Sequence, residues 1–329
     1  MPRTRIVCIS DTHNCAASVK LPPGDVLIHA GDLTNQGSRS ELSRAVSWLE
    51  AADFEAKIVI ADLTARGFSK ADEDDDNDDD DDDVQGNHDI TLDSAFYAEH
   101  GHVFHNQRPE SPTVCRELFT SSPSLTYLDH ESATIRLPSL GVEFSVFGSP
   151  YSPRRGGLWA FGYDEGSSLW DAIPSGTDMV VTHTPPRTHC DMEDGSRMPA
   201  GCEALRRALC RVRPRLAVCG HIHDGRGAEH VSWVGEEGEG EGEGEGEGDG
   251  GNEAASSSSS SLTRRTWDDP GAGNKKLSLV HLDRTGETCI VNAAMMKSRH
   301  PHVGGKQFHK PIVVDVDLPF ASHLSRRGA

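Results

Sequence analysis

The chain has 329 residues, of which 35% are hydrophobic, and a formal net charge of −20. That length accommodates one large domain or two small ones. The charge is concentrated in two tracts: Asp72 to Asp83 holds 11 acids and Glu236 to Glu253 holds 9, with no Lys or Arg in either, and without those 20 the remaining 32 acids equal the 32 Lys plus Arg. A near-neutral body lacks the basic face that nucleic-acid binding requires. No apolar run approaches the roughly 20 residues that span a bilayer, and Met1-Pro2-Arg3-Thr4-Arg5 carries no signal-peptide apolar stretch. A soluble cytoplasmic protein is expected, with neither a nucleic acid nor a membrane as partner. The eight cysteines contain no C-x-x-C pair, so buried reduced thiols are expected rather than a disulfide scaffold.

Taken in chain order, short Val/Ile-rich runs recur, and each ends in a polar cluster. They are Ile6-Val7-Cys8-Ile9, Val26-Leu27-Ile28, Ile58-Val59-Ile60, Met179-Val180-Val181 and Leu216-Ala217-Val218. Runs this short that are apolar on both alternations predict strands buried on both faces. Between them, Ser38 to Ala52 places Leu42, Ala45, Val46 and Leu49 on one helical face, and Cys202 to Val212 does so with Leu205, Ala208, Leu209 and Val212. Arg206, Arg207 and Arg211 fall on the other face of the second helix and are expected to be solvated. Further strands are predicted at Val142 to Phe147, Lys276 to Leu282, Cys289 to Ala293 and Ile312 to Val316. The pattern predicts an α/β layered fold with two sheets or one large mixed sheet. Residues 62–85, with the Asp run, and 235–274, with a Glu-Gly repeat and six serines, are expected to be disordered. The expected organisation is one domain over 1–320, interrupted by those two segments, with a loose tail at 321–329.

The residues just after each strand carry the chemistry. After the first comes Ser10-Asp11-Thr12-His13, and after the second His29-Ala30-Gly31-Asp32. The third is succeeded, past the acidic insert, by Gly86-Asn87-His88-Asp89. The fourth delivers Thr182-His183-Thr184, and the fifth Cys219-Gly220-His221-Ile222-His223. The carboxyl ends of strands are where open α/β sheets bind ligands. Oxygen and imidazole donors suit Mn, Fe, Zn or Co, and D-x-H and H-x-H place both donors on one side of an extended segment. Singly, each block is an ordinary turn or polar loop residue. Five in succession, each after a buried strand, point to a metal site. No nucleophile elbow and no G-x-x-x-x-G-K is present.

The ordered set D-x-H, G-D, G-N-H-D, H and G-H-x-H, spanning Asp11 to His223, resembles the calcineurin-like metallophosphoesterases. The stretches Leu21-Pro22-Pro23-Gly24-Asp25, Gly148-Ser149-Pro150-Tyr151, Trp159-Ala160-Phe161-Gly162-Tyr163, His183-Thr184-Pro185-Pro186 and Val291-Asn292-Ala293 are similar to its metallophosphoesterase-domain-containing branch in animals and fungi. The resemblance implies a four-layer α/β/β/α sandwich with two mixed sheets. It also implies two divalent or mixed-valence metal ions, of Mn, Fe or Zn, bridged by Asp32. One would take Asp11, His13, Asp32 and His223, and the other Asp32, Asn87, His183 and His221. His88 would lie outside the metals as the catalytic phosphate-binding or proton-donating residue, with Asp89 behind it. The implied activity is hydrolysis of phosphodiesters or small phosphorylated metabolites by a metal-bridging hydroxide. The alternatives are a weakly active or inactive metal- or nucleotide-binding scaffold on the same fold, and an interaction protein that works through its acidic tracts. Some members of the branch carry Gly at the position of His221, with impaired metal binding; this chain has the histidine.

The departure from the family pattern is the insert between the strand at Lys57 to Ala61 and Gly86. Two readings stay open. The insert moderates activity by repelling anionic substrate, or it is absent from the mature protein, as an unspliced intron would be, since its removal restores Ala61-Gly86-Asn87-His88. Closing a loop of this length costs on the order of 3 kcal/mol, which a domain of this size tolerates. Deleting 62–85 is expected to preserve metal content, to lower KM at low salt, and to match the full-length protein at high salt, where screening removes the repulsion. A deletion that loses metal would make the insert part of the site.

Overall fold

In the computed structural model, the described residues are 2–61, 88–154, 158–164, 166–193, 198–233, 263–267, 287–297 and 305–321. The expected disorder of 62–85, the strand at Lys276 to Leu282, and residues 322–329 of the expected tail lie outside them. So does Asn87.

Among the described residues the strands form two large mixed sheets. The first has five strands: β1 (Arg3–Ile9), β2 (Val26–Ala30), β3 (Ala56–Ile60), β4 (Thr126–Leu128) and β14 (Ile312–Asp317), in the order β14-β1-β2-β3-β4. Here β1 to β4 are parallel and β14 runs antiparallel at the edge. The second comprises β5 (Glu131–Leu137), β6 (Val142–Ser149), β9 (Met179–Thr182), β10 (Leu216–Cys219), β11 (Gly227–Ser232), β12 (Thr263–Trp267) and β13 (Glu287–Asn292), in the order β12-β11-β13-β10-β9-β6-β5. A short pair, β7 (Ser152–Pro153) with β8 (Gly162–Tyr163), stands apart.

Strand alternation sorts the side chains into layers. Ile6, Cys8, Val26, Ile28, Ile58 and Ile60 of the first sheet face Val146, Val181, Val218 and Val291 of the second across a common core. The intervening Val7, Ile9, Leu27 and Val59 turn outward onto α1 (Arg39–Ala51) and α3 (Pro112–Thr120), meeting Leu42, Ala45, Val46, Leu49 and Phe119. On the far side, Val180, Ala217 and Ile290 pack on Leu205, Ala208, Leu209 and Val212 of α4 (Glu203–Val212). Helices, sheet, sheet and helices succeed one another, as the resemblance implies. Period-2 burial on both faces explains why these runs lack polar alternation.

The helical faces expected from sequence are the buried ones. In α1, Ser38 and Glu41 form a reciprocal capping box, and Glu41 also accepts from the Asn14 amide, so the helix start is tied to the loop after β1. The arginines of α4 divide. Arg206 pairs with Glu203 and Arg207 is exposed, whereas Arg211 donates to the carbonyls of Trp170 and Ile173 at 3.2 and 3.1 Å; it is a structural contact, not a purely solvated charge.

Several elements carried no periodic signal. The helix α2 (Ser94–Phe104) mixes aromatics, two His and Gly101, and buries only Tyr97 and Gly101. Within 235–274, expected to have no regular structure, Thr263–Trp267 forms β12 and pairs antiparallel with β11. This corrects the expectation for those five residues: they come after the acidic and serine tracts and contain two threonines and a tryptophan, residue types that suit a strand. All eight cysteines are free, and six are buried. No helix among the described residues is long and apolar enough to cross a membrane.

Candidate metal centre

The site lies on the seam between the two sheets, at the carboxyl ends of β1, β2, β9 and β10. Backbone bonds sew the loops together there. Asp11 N–H donates to Gly31 O at 3.0 Å, His13 N–H to Asp32 O at 3.1 Å, and Gly220 N–H to His183 O at 2.9 Å. Across the seam, His183 Nδ1–H donates to Ala30 O at 2.8 Å, and His221 N–H donates to both Asp11 carboxylate oxygens at 3.2 Å.

Such close approach has two visible consequences. A Cβ on Gly220 would collide with Ser10 Oγ and Asp11 Oδ2, so only glycine lets the β10 loop reach the β1 loop. In addition, Asp11, His13, Asp32, Asp89 and His221 all have positive φ, between 26° and 68°. Non-glycine residues in that region are strained and cluster at functional sites.

The side chains converge as the strand ends suggest. Asp11, His13 and His223 form one set of possible metal-holding groups, His13, Asp32 and His88 a second, and Asp11, Asp32 and His183 a third; within each set the ligand atoms lie within 4.8 Å of one another. His223 Nε2 is 3.1 Å from Asp11 Oδ1, His13 Nε2 is 3.8 Å from Asp32 Oδ2, and His183 Nε2 is 3.6 Å from the same oxygen. His221 lies beside these sets, its ring centroid 5.2 Å from that of His183. His88 packs on His13 with centroids 4.3 Å apart.

The donor set fits a metal. Asp11 and Asp32 are buried, and among the described residues Asp32 Oδ1 has no hydrogen-bond donor. Burying carboxylates is costly unless positive charge compensates. The Asp32 carboxyl is pushed well above its usual range, first by burial and then by the charges of Asp11 and Asp89. Burial also raises the Asp11 carboxyl, but its hydrogen bond with His223 and the charges of His223, His183 and His13 outweigh that and hold it low. Burial lowers His13 and His183, which favours the neutral imidazole that binds metals. A cation held by these residues would relieve the repulsion around Asp32.

Supporting residues not assigned to metals hold these groups in place. Asp89 accepts from Leu33 N–H at 3.1 Å, and from Thr34 N–H and Oγ1–H at 3.0 and 2.7 Å, so the loop after β2 is clamped to the segment bearing His88. Burial pushes Asp89 up to about 7. His88 Nδ1–H donates to Asn35 O at 3.1 Å, which directs Nε2 elsewhere. The Asn292 amide donates to Ile222 O at 2.8 Å, between His221 and His223. Four residues had no role assigned from the sequence, although His29 and Trp159 lie in stretches singled out there. His29, inside β2, shares a 2.9 Å bond with Thr12; Asn35 holds His88; Trp159 lies edge-on to His221 at 6.3 Å; and Lys306 reaches in from near the end of the chain.

Strand ends from two stacked sheets that present Asp and His to one buried seam define a metal-binding α/β sandwich, and comparison with known proteins is more specific. The family model of calcineurin-like phosphoesterases matches residues 4–225, and the chain belongs to that family. It is 38% identical over 232 residues to a probable rhamnogalacturonate lyase C of Emericella nidulans, covering 70% of this chain and 18% of that protein. It is 34% identical over 235 residues to human metallophosphoesterase domain-containing protein 1, covering 68% of this chain and 62% of the relative. A UPF0046 protein of Caenorhabditis elegans is 32% identical over 227 residues, covering 69% and 66%. The chain thus spans less than two thirds of the length of each of these relatives.

Gly220→Ala is expected to destabilise the fold by about 1–3 kcal/mol, the usual cost of overpacking, and to lower bound metal disproportionately because the collision falls on Asp11. Metal content by plasma emission and thermal unfolding check this. A folded variant with full metal would show that the loop yields without disturbing Asp11.

Proposed function

We propose that the chain hydrolyses phosphoester bonds with two metal ions held side by side, acting on phosphodiesters or small phosphorylated metabolites. The observation that carries the reading is the overlap of the three donor sets, two of which share Asp32. Asp11, His13, Asp32 and His223 would hold one ion, and Asp32, Asn87, His183 and His221 the other; Mn, Fe and Zn suit these donors. When bound, such ions supply an acidified water and positive charge for the phosphoryl oxygens.

The protein's own groups orient and exclude. Asp32 sits between the donor sets with one oxygen toward both His13 and His183. The Nδ1–H bond from His183 to Ala30 O leaves Nε2 as its ligating atom. In the same way, the bond from His88 to Asn35 O leaves Nε2 to meet the phosphoryl or leaving oxygen. Burial pushes the His88 imidazole down to about 4. It is therefore neutral near pH 7 until an anionic substrate favours its proton. The family supports this chemistry, and a diester preference rests on the resemblance to the metallophosphoesterase-domain-containing branch.

The decisive screen offers metal-reconstituted protein bis(p-nitrophenyl) phosphate, p-nitrophenyl phosphate, cyclic nucleotides and phosphopeptides. Turnover of the diesters is expected; stoichiometric metal with no turnover on any of them would favour a binding scaffold. Asp32→Asn should lose more metal and more activity than Asp11→Asn or His223→Ala, because both ions depend on it; near-normal turnover with two metals retained would sink the bridging role. His88→Ala should keep its metals while kcat falls by about 10²- to 10⁴-fold, the scale of a general acid. Since His88 lies within ligand distance of His13 and Asp32, metal loss in that variant would make it a ligand instead.

A further inference from the structure

Lys306 lies beyond the residues matched by the family model, yet its side chain enters the site. The segment that carries it is fastened to the centre. His309 N–H donates to Met295 O at 2.8 Å, Lys297 N–H to Gln307 O at 2.8 Å, and Met295 N–H to Ser10 O at 2.9 Å, directly before Asp11. From there Lys306 Nζ donates to His13 O at 3.3 Å and to Asn35 Oδ1 at 3.0 Å. The backbone carbonyl of the same Asn35 accepts from His88 Nδ1. One asparagine thus holds both the imidazole and the ammonium, and the lysine charge acts on both His13 and His88.

The position is unusual for a lysine. Its stem is half-buried, and both of its acceptors are neutral oxygens. Among the described residues no carboxylate lies within ion-pair distance of it. An ammonium has three donors; two are spent on His13 and Asn35, and the third has no acceptor among the described residues. A fixed cation beside the proton-donating histidine of a phosphoester site has one obvious complement, an anionic oxygen of the substrate.

We infer that Lys306 is a substrate-binding residue whose ammonium takes a non-bridging phosphoryl oxygen beside His88. Because Coulombic attraction scales with ligand charge, it strengthens binding of doubly charged phosphomonoesters more than of singly charged diesters. The inference rests on the phosphoester reading above. It makes the extent of monoester use a property of a segment outside the region the family model matches.

The test uses the full, metal-reconstituted chain with Lys306→Met and Lys306→Arg. Inorganic phosphate is titrated calorimetrically, metal content is measured, and KM and kcat are compared for p-nitrophenyl phosphate and bis(p-nitrophenyl) phosphate. Lys306→Met is expected to bind phosphate about 10- to 100-fold more weakly, the scale of a lost charged hydrogen bond, with metal content unchanged. Its KM should rise more for the monoester than for the diester, and Lys306→Arg should recover most of the loss. Phosphate affinity at the wild-type level in Lys306→Met overturns the inference, as does a wild-type protein that binds no phosphate. Loss of metal together with phosphate also overturns it, because Lys306 would then be a prop for the His13 loop. Should the wild type hydrolyse neither ester, the proposed function fails, and the phosphate titration alone still decides the role of Lys306.

Discussion

Asp11 and Asp32 are buried side by side, and most of the local structure depends on that arrangement. Two carboxylates removed from water are tolerable only where positive charge and hydrogen-bond donors converge on them. The chain supplies hydrogen-bond donors and neutral imidazoles from opposite directions. The first sheet contributes the two carboxylates and His13, and the second contributes His183, His221, His223 and the His221 N–H that donates to both oxygens of Asp11. The centre is thus a joint between sheets. Its geometry depends on how closely their ends approach, which is why Gly220 has no room for a methyl group.

Much of this was legible in the sequence because the fold separates two kinds of information. Strands buried on both faces read as uninterrupted Val and Ile, so a polar residue after such a run stands out. That contrast singles out Asp11, His13, Asp32, His183, His221 and His223 as candidates, whereas His88 lies past the acidic insert and stands out only through Gly86-Asn87-His88-Asp89; the helical stripes of α1 and α4 are equally plain. What remained hidden lacked periodicity or locality. The α2 helix has no apolar stripe to detect. The use of Arg211 as a cap for the Trp170–Ile173 carbonyls depends on a neighbour about 40 residues away. Lys306 is a single lysine in a stretch rich in His, Lys and Gly, and nothing in that stretch says that it reaches back to His13, 293 positions earlier.

The supporting bonds also bear on how the family pattern tolerates a long interruption after β3. In a simple strand-to-loop motif, the end of β3 would aim the ligand loop beyond it. Here the sequence puts 26 residues between Ala61 and His88, and the segment from His88 onward is held by bonds to a different loop, the one after β2. Asp89 grips Leu33 and Thr34 with three bonds, His88 holds Asn35, and Thr91 Oγ1 donates to Gly37 O at 2.6 Å. Gly37, at φ 66°, lies so close that a Cβ would strike the Ile90 amide and the Asp89 backbone.

Leu33, Thr34, Asn35 and Gly37 after β2 therefore position His88 to Thr91. Burial strengthens each of these bonds, since Asp89, Thr34 and Thr91 are shielded from competing water. The same contacts set the orientation of His88 through Asn35 and, through the side chain of that asparagine, the position of Lys306. His88 and Lys306 thus share one scaffold with Asp32, because the loop after β2 carries Asp32 near its start and ends at the cap of α1.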